Sequence, residues 1–336
     1  MKFPSQAPFP VILAGLEAAA EITRLRLLAL LAEAELTVSE LVTILGQSQP
    51  RISRHLKLLV EAGLVERHRE GAWAFFRLAD RGARGELARD ILARIELADP
   101  MLTSDRTRLE EARRARAELA ARYFADHAPE WDRIRSLHVT EDKVEAAILE
   151  VVGAGSLASM LDLGTGTGRM LELVAPLADR AIGVDQSPAM LNVARSRLER
   201  AGLRNVILRQ GDIYALPVER DRHDLVLIHR VLHYLDDPAR AVREAARVLR
   251  PGGRLIVVDF APHSHEFLRE QHAHRRLGFT ATEIADFMRE AGLLPIEHRE
   301  LKPAKGDAER LTVSIWVGLD QRMRGDAPPL SQTEMA

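Results

Sequence analysis

Three glycines and three carboxylates set the chemistry that the second half of the chain can do. Gly164, Gly166 and Gly168 form a G-x-G-x-G turn directly after the apolar run MLDL. A dinucleotide fingerprint would place glycine at 169; Arg169 stands there instead, against the close helix–strand packing that a third glycine permits. The turn still lets a ligand lie on the backbone. Asp162 leads into it and can orient a ligand ammonium, directly or through water. Asp185 ends the next apolar segment, where a carboxylate can accept both hydroxyls of a ribose. Asp212, after Gly211, follows a third such segment and can accept from an adenine amino group. No lysine joins them to hold phosphates. Carboxylates for a ribose, an adenine and an amine describe a cationic adenosyl amino acid better than a pyrophosphate. The plainer reading is that each acid caps a turn or helix; their joint placement at successive strand ends favours the ligand.

The first half carries a different chemistry. Ile52, Leu56 and Leu59 fall at i, i+4 and i+7 and predict one buried stripe. The opposite face holds Gln49, Arg51, Ser53, Arg54, His55 and Lys57, groups that read base edges or grip phosphates. A solvated helix face is the ordinary meaning of such a charge run. Here it sits in a particular order of elements. Thr37 and Glu40 have capping-box spacing for a helix over Val38–Leu45, ended by Gly46. Ser48 can cap the basic helix, with Pro50 in its first turn, and Gly63 can stop it. The run LVERHREGAWAFFRL then reads as a hairpin turning at Glu70–Gly71, with Arg67, His68 and Arg69 near its tip. Helix, turn, basic helix and basic-tipped wing point to double-stranded DNA.

The elements that must hold these residues follow from length and pattern. At 336 residues the chain predicts two folded units. A 46% hydrophobic and 29% charged composition excludes a largely disordered chain, and the formal charge of -2 confines any nucleic-acid contact to a local patch. Cysteine is absent, which excludes disulfides, thiolate metal sites and cysteine nucleophiles. No apolar run reaches the roughly 20 residues of a membrane helix, and the start does not read as a secretory signal. A cytoplasmic protein with no membrane partner is expected. A helix is predicted over Glu17–Leu31, a charged solvent-bridging helix over Ser104–Ala121, and one over Glu141–Val152 capped by Thr140. Tyr123, Phe124 and Trp131 read as packing residues. From Ser159 strands and helices alternate through LRPGGRLIVVDF; a helix over Thr282–Ala291 precedes two edge strands, LLPIEH and LTVSIWV, as an antiparallel pair. The expected division is a DNA-binding domain over 1–98, a helical connector and lid over 99–150, a domain for the adenosyl ligand over 151–320 and a polar tail over 321–336. The fold class is multidomain: an α+β winged helix-turn-helix, then a doubly wound α/β domain.

The stretch LTVSELVTILGQSQPRISRHLKLLVEAGLVERHREGAWAFFRL resembles the winged helix of ArsR-type bacterial repressors. That resemblance implies a homodimer joined by the flanking helices, about Leu16–Leu31 and Glu86–Leu97. It also implies two recognition helices in successive major grooves. The metal-sensing members' cysteine pair is missing, and GELARDILARIEL has no histidine for an interprotomer site. Further on, DLGTGTG, GVDQS, QGDIYALP, HDLVLIHRVLHYLDDP and RVLRPGG resemble class I S-adenosylmethionine-dependent methyltransferases. This likeness implies a seven-stranded, Rossmann-like sheet. It puts Asp162, Gly164 and Gly166 at the methionine end, Asp185 and Gln186 at the ribose, Asp212 and Ile213 at the adenine, and His229 beside the sulfur. Thr165, Gly168 and Gly211 complete the expected cofactor-binding set. The fusion resembles ArsR-type regulators bearing a methyltransferase-like domain, some of which govern the methionine–homocysteine cycle in response to S-adenosylhomocysteine.

The histidines fit several roles. His229 with His233, His263 with His265 and His272 with His274 could each begin a metal site, but hydrogen-bonding pocket residues are the commoner outcome, and no metal is expected. They are credible general bases. Methyl transfer mainly needs alignment, however, and no acceptor-specific motif is present. The sequence therefore leaves catalysis open and names no catalytic residue. The leading expectation is a repressor whose effector is S-adenosylmethionine or S-adenosylhomocysteine. The second is an active methyltransferase of a small molecule, with an appended regulatory DNA-binding domain.

Overall fold

The computed structural model describes residues 6–70, 73–79, 82–96, 98–131, 141–303 and 311–322. The chain divides into two compact units, Met1–Leu119 and Ala120–Ala336.

In the first unit, α1 (Phe9–Ala19) and α2 (Ile22–Glu33) replace the single helix expected over Glu17–Leu31. Glu21 breaks the run. Its backbone is extended, and its carboxylate accepts the Arg24 N–H at 3.0 Å as a helix cap. Arg24 then donates its side chain to the carbonyls of Ala18 and Glu17 at the end of α1. Next come β1 (Leu36–Thr37), α3 (Val38–Leu45) and α4 (Gln49–Glu61). Thr37 and Glu40 make both halves of the capping box, so α3 starts where its sequence dictates. Ser48 holds the N-cap position of α4 by its backbone, without a side-chain bond. Pro50, second in the helix, lacks one of the N–H groups a cap would serve. β2 (Val65–Glu70) and β3 (Trp73–Leu78) form the hairpin, and β1 pairs with β3 through Leu36↔Phe76, giving the order β1-β3-β2.

Leu27, Leu28, Leu41, Ile52, Leu56, Leu59 and Leu64 form the centre of this unit's core. Each buried leucine or isoleucine contributes roughly 1.5–3 kcal/mol. α5 (Gly82–Leu92) and α6 (Pro100–His127) follow. Asp99 caps α6, accepting from Met101 at 2.9 Å and Leu102 at 3.2 Å, so the Asp99–Pro100 pair opens a helix. The first turns of α6 are packed rather than solvent-bridging. Buried Asp105 takes a two-pronged grip from Arg26 at 2.7 and 2.6 Å, and Leu109 joins the core. Those contacts carry the first unit to Leu119, past the sequence-based boundary at 98.

In the second unit α7 (Glu141–Val152) leads to β4 (Leu157–Leu163). Then come α8 (Arg169–Val174), β5 (Ala178–Asp185), α9 (Pro188–Arg200), β6 (Val206–Gln210), β7 (His223–His229), α10 (Pro238–Val248) and β8 (Leu249–Phe260). The short α11 (Phe267–Gln271) and α12 (Ala281–Glu290) precede β9 (Leu293–Leu301) and β10 (Val313–Asp320). α12 begins just ahead of its expected start because Thr280 and Glu283 form a capping box. The sheet order is β6-β5-β4-β7-β8-β10-β9. β10 runs antiparallel to both neighbours, as the two last apolar segments led one to expect, and the other pairs are parallel. β7 is buried at every position, the mark of a parallel strand covered on both faces. Strand order reverses between β4 and β7, so their carboxyl ends open the crevice where doubly wound sheets take ligands. Thr140, the expected cap of α7, and residues 323–336 of the expected tail lie outside the described residues.

Candidate functional site

The glycine turn is built on the end of β4. Gly164 and Thr165 both donate backbone N–H groups to the Val184 carbonyl of β5, at 2.8 and 3.0 Å. Gly164 has φ +67°, and a Cβ there would collide with the Val231 side chain. Gly166, at φ +53°, lies under the Trp131 indole, whose Nε1 would stand 3.7 Å from an added Cβ. Only a residue without a side chain suits both places. Asp162 lies below the turn, 1% exposed, and accepts the Thr165 hydroxyl at 2.6 Å. It therefore braces the loop.

Asp185, the last residue of β5, binds both sides of the crevice floor. Its Oδ2 accepts from Gly166 N–H and its Oδ1 from Ser187 N–H, each at 2.8 Å. Burial raises its pKa, while the N–H groups of Ser187, Gly166 and Gln186 pull the other way. Each carboxylate oxygen has a further lone pair, so the group can still accept a pair of ribose hydroxyls. Gln186 is exposed beside it, and its carbonyl accepts from Gln210 at 3.3 Å. Gly211 donates to the Asp185 carbonyl at 3.1 Å, which holds the ends of β5 and β6 together. Asp212 is exposed and spends one oxygen on Tyr214 N–H, with half-buried Ile213 between them. His229 closes β7 and is buried. The glycine turn, the Asp185 carboxylate and the exposed Asp212 stand in that order at the ends of β4, β5 and β6.

Two arginines tie this crevice to α7. Arg169, the residue that spoils the dinucleotide fingerprint, leaves the turn and grips Glu145 at 2.8 and 2.6 Å and Glu172 at 2.8 Å. Arg230, next to His229, has left-handed backbone at φ +55° and binds Glu141 at 2.6 Å. Glu141 and Glu145 are one turn apart on α7. A bulky residue held at positive φ stores strain, and such positions cluster at functional sites. Sequence reasoning missed both ties, because each joins residues 24 or 89 positions apart. It also missed the buried pair His233–Asp259, Nδ1 to Oδ1 2.7 Å. Among the described residues no group of three or more His, Asp or Glu is placed to hold a metal ion.

The first unit presents a different kind of surface. Gln49, Arg51, Ser53, Arg54 and Lys57 are exposed along α4, on the face opposite its buried Ile52, Leu56 and Leu59. His55 turns to the side. It is largely covered and sits 3.6 Å from Glu21. Burial depresses its pKa, and Arg24, Arg51 and Arg54 add to this against the pull of Glu21. Arg67 is exposed on β2, while the side chain of Arg69 and the turn at Gly71 lie outside the described residues. Within the flanking stretch Leu16–Leu31, the α2 leucines Leu27, Leu28, Leu30 and Leu31 are core residues, and Leu16 is exposed. Leu16 belongs to an exposed apolar stripe along α1, through Phe9, Leu13 and Leu16.

A winged helix-turn-helix and a doubly wound, class I methyltransferase-type sheet thus occupy one chain. Residues 22–67 match the family model for the bacterial regulatory protein, arsR family, and residues 161–257 match that for the methyltransferase domain. The chain joins an arsR-family helix-turn-helix to a methyltransferase domain. It is 37% identical over 155 residues to an uncharacterized 37.1 kDa protein in transposon TN4556 of Streptomyces fradiae, covering 44% of each chain. It is 38% identical over 104 residues to the uncharacterized methyltransferase YcgJ of Bacillus subtilis, covering 31% of this chain and 41% of that protein. It is 33% identical over 126 residues to the ubiquinone/menaquinone biosynthesis C-methyltransferase UbiE of a Shewanella species, covering 36% of this chain and 50% of that one. The chain spans half or less of the length of these curated relatives. Among solved structures, a chain from the complex of the Haloferax volcanii Trm112 methyltransferase activator with a methyltransferase superposes with a TM-score of 0.50. It has 23% identity, over 59% of this chain and 98% of that one, a likeness of fold.

Proposed function

We propose that this protein is a homodimeric, cytoplasmic transcriptional repressor. Its first unit binds double-stranded operator DNA through α4 and the wing. Its second unit binds S-adenosylmethionine or S-adenosylhomocysteine as effector, with genes of the methionine cycle as targets. The observation that carries the reading is the pairing in one chain of two features: the exposed basic face of α4 and the strand-end crevice of Gly164, Gly166 and Asp185. Gln49, Arg51, Ser53, Arg54 and Lys57 contact the major groove, Arg67 and Arg69 the backbone beside it, and His55 braces α4 on Glu21. A second copy covers the apolar stripe of α1.

In the crevice Asp185 takes the ribose, Asp212 and Ile213 the adenine, and the glycine turn the amino acid part. S-adenosylmethionine, when bound, supplies a sulfonium methyl; S-adenosylhomocysteine differs by that methyl and one positive charge, which is the difference a sensor can use. No helix among the described residues is long and apolar enough to cross a membrane. Regulation requires that the ligand bind the DNA-competent and DNA-incompetent states unequally, and a gap of about 1–3 kcal/mol gives roughly 5–150-fold coupling. The test is to select operator duplexes from a random library with the full chain. Anisotropy titrations are then run with and without saturating S-adenosylhomocysteine and S-adenosylmethionine. Affinity changed by either ligand, and restored by Asp185→Ala, is the expected result. Identical affinity in all conditions sinks the sensor.

A further inference from the structure

The buried pair His233–Asp259 is used by nothing described above. Asp259 is the penultimate residue of β8, and His233 lies in the short turn after β7, its neighbour in the sheet. The residues are 1% and 0% exposed. His233 Nδ1 meets Asp259 Oδ1 at 2.7 Å, and that carboxylate is fixed in turn by the N–H groups of Phe260 at 2.8 Å and His233 at 3.4 Å. A carboxylate at Nδ1 draws the ring proton there and leaves the lone pair on Nε2. That Nε2 is buried with no hydrogen-bond partner among the described residues, and so is Nε2 of His263 nearby. A buried acceptor left unmatched is costly, and a donor placed at His233 Nε2 would relieve that cost.

Packing contacts link the buried dyad to the glycine turn. Val231, two residues before His233, packs on Gly164. Tyr234, whose ring centre is 4.0 Å from that of His233, packs against Phe124 at 4.9 Å and Trp131 at 6.4 Å, and Trp131 covers Gly166. The rings of His274 and Phe260 stand 4.2 and 5.0 Å from His233. Among the described residues, flat rings surround His233, and the carboxylate of Asp259 is engaged by it.

We propose that His233 is the general base of an acceptor subsite beside the S-adenosyl crevice, positioned by Asp259, and that the acceptor is an aromatic hydroxyl. This rests on the S-adenosyl reading above. A phenol suits both properties of the site. Its ring stacks among rings, and its acidity is closer to that of imidazole than an aliphatic alcohol's, which lets the proton pass. His233 Nε2 takes the hydroxyl proton and becomes an imidazolium beside Asp259. The oxygen lone pair forms the O–CH3 bond as the C–S bond of a sulfonium donor breaks, and that bond's electron pair stays on sulfur. A methyl ether, a thioether and one proton, later released to water, complete the balance.

The test uses the full chain and 4-nitrophenol, whose ionised form is coloured. Calorimetry first establishes S-adenosylhomocysteine binding. With that ligand saturating, no methyl donor is present. The probe is then added at a pH where it is mostly protonated in solution. Wild type is expected to give a saturable phenolate band, which His233→Gln abolishes while its S-adenosylhomocysteine affinity stays unchanged; Asp259→Asn weakens the band. With S-adenosylmethionine instead, mass spectrometry is expected to detect the methyl ether, reduced about a hundredfold or more in H233Q. No band and no ether with the wild type overturn the proposal whether or not the variants fold, as does an undiminished band in H233Q. If S-adenosylhomocysteine binds but the phenol does not, the dyad fails and the sensor stands; if neither binds, both fall.

Discussion

The two halves of the molecule prepare for their ligands in opposite ways. The first unit spends its apolar residues on one side of α4 and leaves the other side open, with Arg51, Arg54 and Lys57 in water. Its ligand surface is a by-product of helix packing. The second unit builds inward. Its proposed ligand groups sit inside the fold: the Asp185 carboxylate is held by the amides of Gly166 and Ser187, and His233 is held by Asp259. An outward face can lose one side chain and keep its shape, whereas an inward site is deformed by a single methyl group.

The largest expected effect follows from that contrast. Gly164→Ala places a Cβ into Val231 at positive φ, combining overpacking with backbone strain. S-adenosyl affinity should fall about a hundred- to a thousandfold by calorimetry, with operator affinity of the unliganded protein unchanged. A loss of DNA binding as well would break the comparison. Next, Glu141→Gln removes the carboxylate charge from its 2.6 Å pair with nearly buried Arg230. Chemical denaturation should report a loss of about 2–3 kcal/mol, below the ~3–5 of a fully buried pair because Glu141 retains some solvent. Stability close to wild type would mean that α7 is not anchored by this pair.

Arg54→Ala should weaken operator binding about 10–100-fold and shorten the salt dependence, leaving ligand affinity intact. Anisotropy at several salt concentrations checks it, and an unchanged slope would place Arg54 away from the DNA. A smaller effect concerns pH. Burial holds His223 down at about 4 and His263 at about 3. Both are neutral when folded, yet take a proton near pH 6.5 when unfolded. Their contribution is therefore full above about pH 6.5 and is lost as the pH falls towards those folded values. Urea midpoints should drop between pH 7.5 and 5, and His223→Gln should flatten the drop; an equally steep fall in that variant would discount His223. The least consequence is expected from Lys57→Ala. Its partner Glu61 is 3.8 Å away and both are exposed, so stability should move by less than about 0.5 kcal/mol, as thermal melting will show.

Features with a local cause could be read from the sequence alone. The Thr37–Glu40 capping box, the stripe Ile52, Leu56 and Leu59, and the apolar runs of β4 to β8 each announce themselves within a few residues. Glu21 did not, because a capping glutamate inside EAAAEITRLRLLALL looks like one more helix former. The same limit governs the site. Gly164, Asp185 and Asp212 stand at strand ends, a position that sequence pattern reveals. Arg169 looked like a misfit until Glu145 was found beside it, and His233 and Asp259 meet only because β7 and β8 are neighbours, which no spacing encodes.

Trp131 over Gly166 has a practical consequence. The chain has three tryptophans, and Trp316 is sealed in the sheet core at 2% exposure. A molecule settling onto the glycine turn, as proposed, would meet the Trp131 indole, while Trp316 is sealed away from it. The protein therefore carries a built-in optical gauge of occupancy, and unlabelled material is enough to follow a titration by its emission.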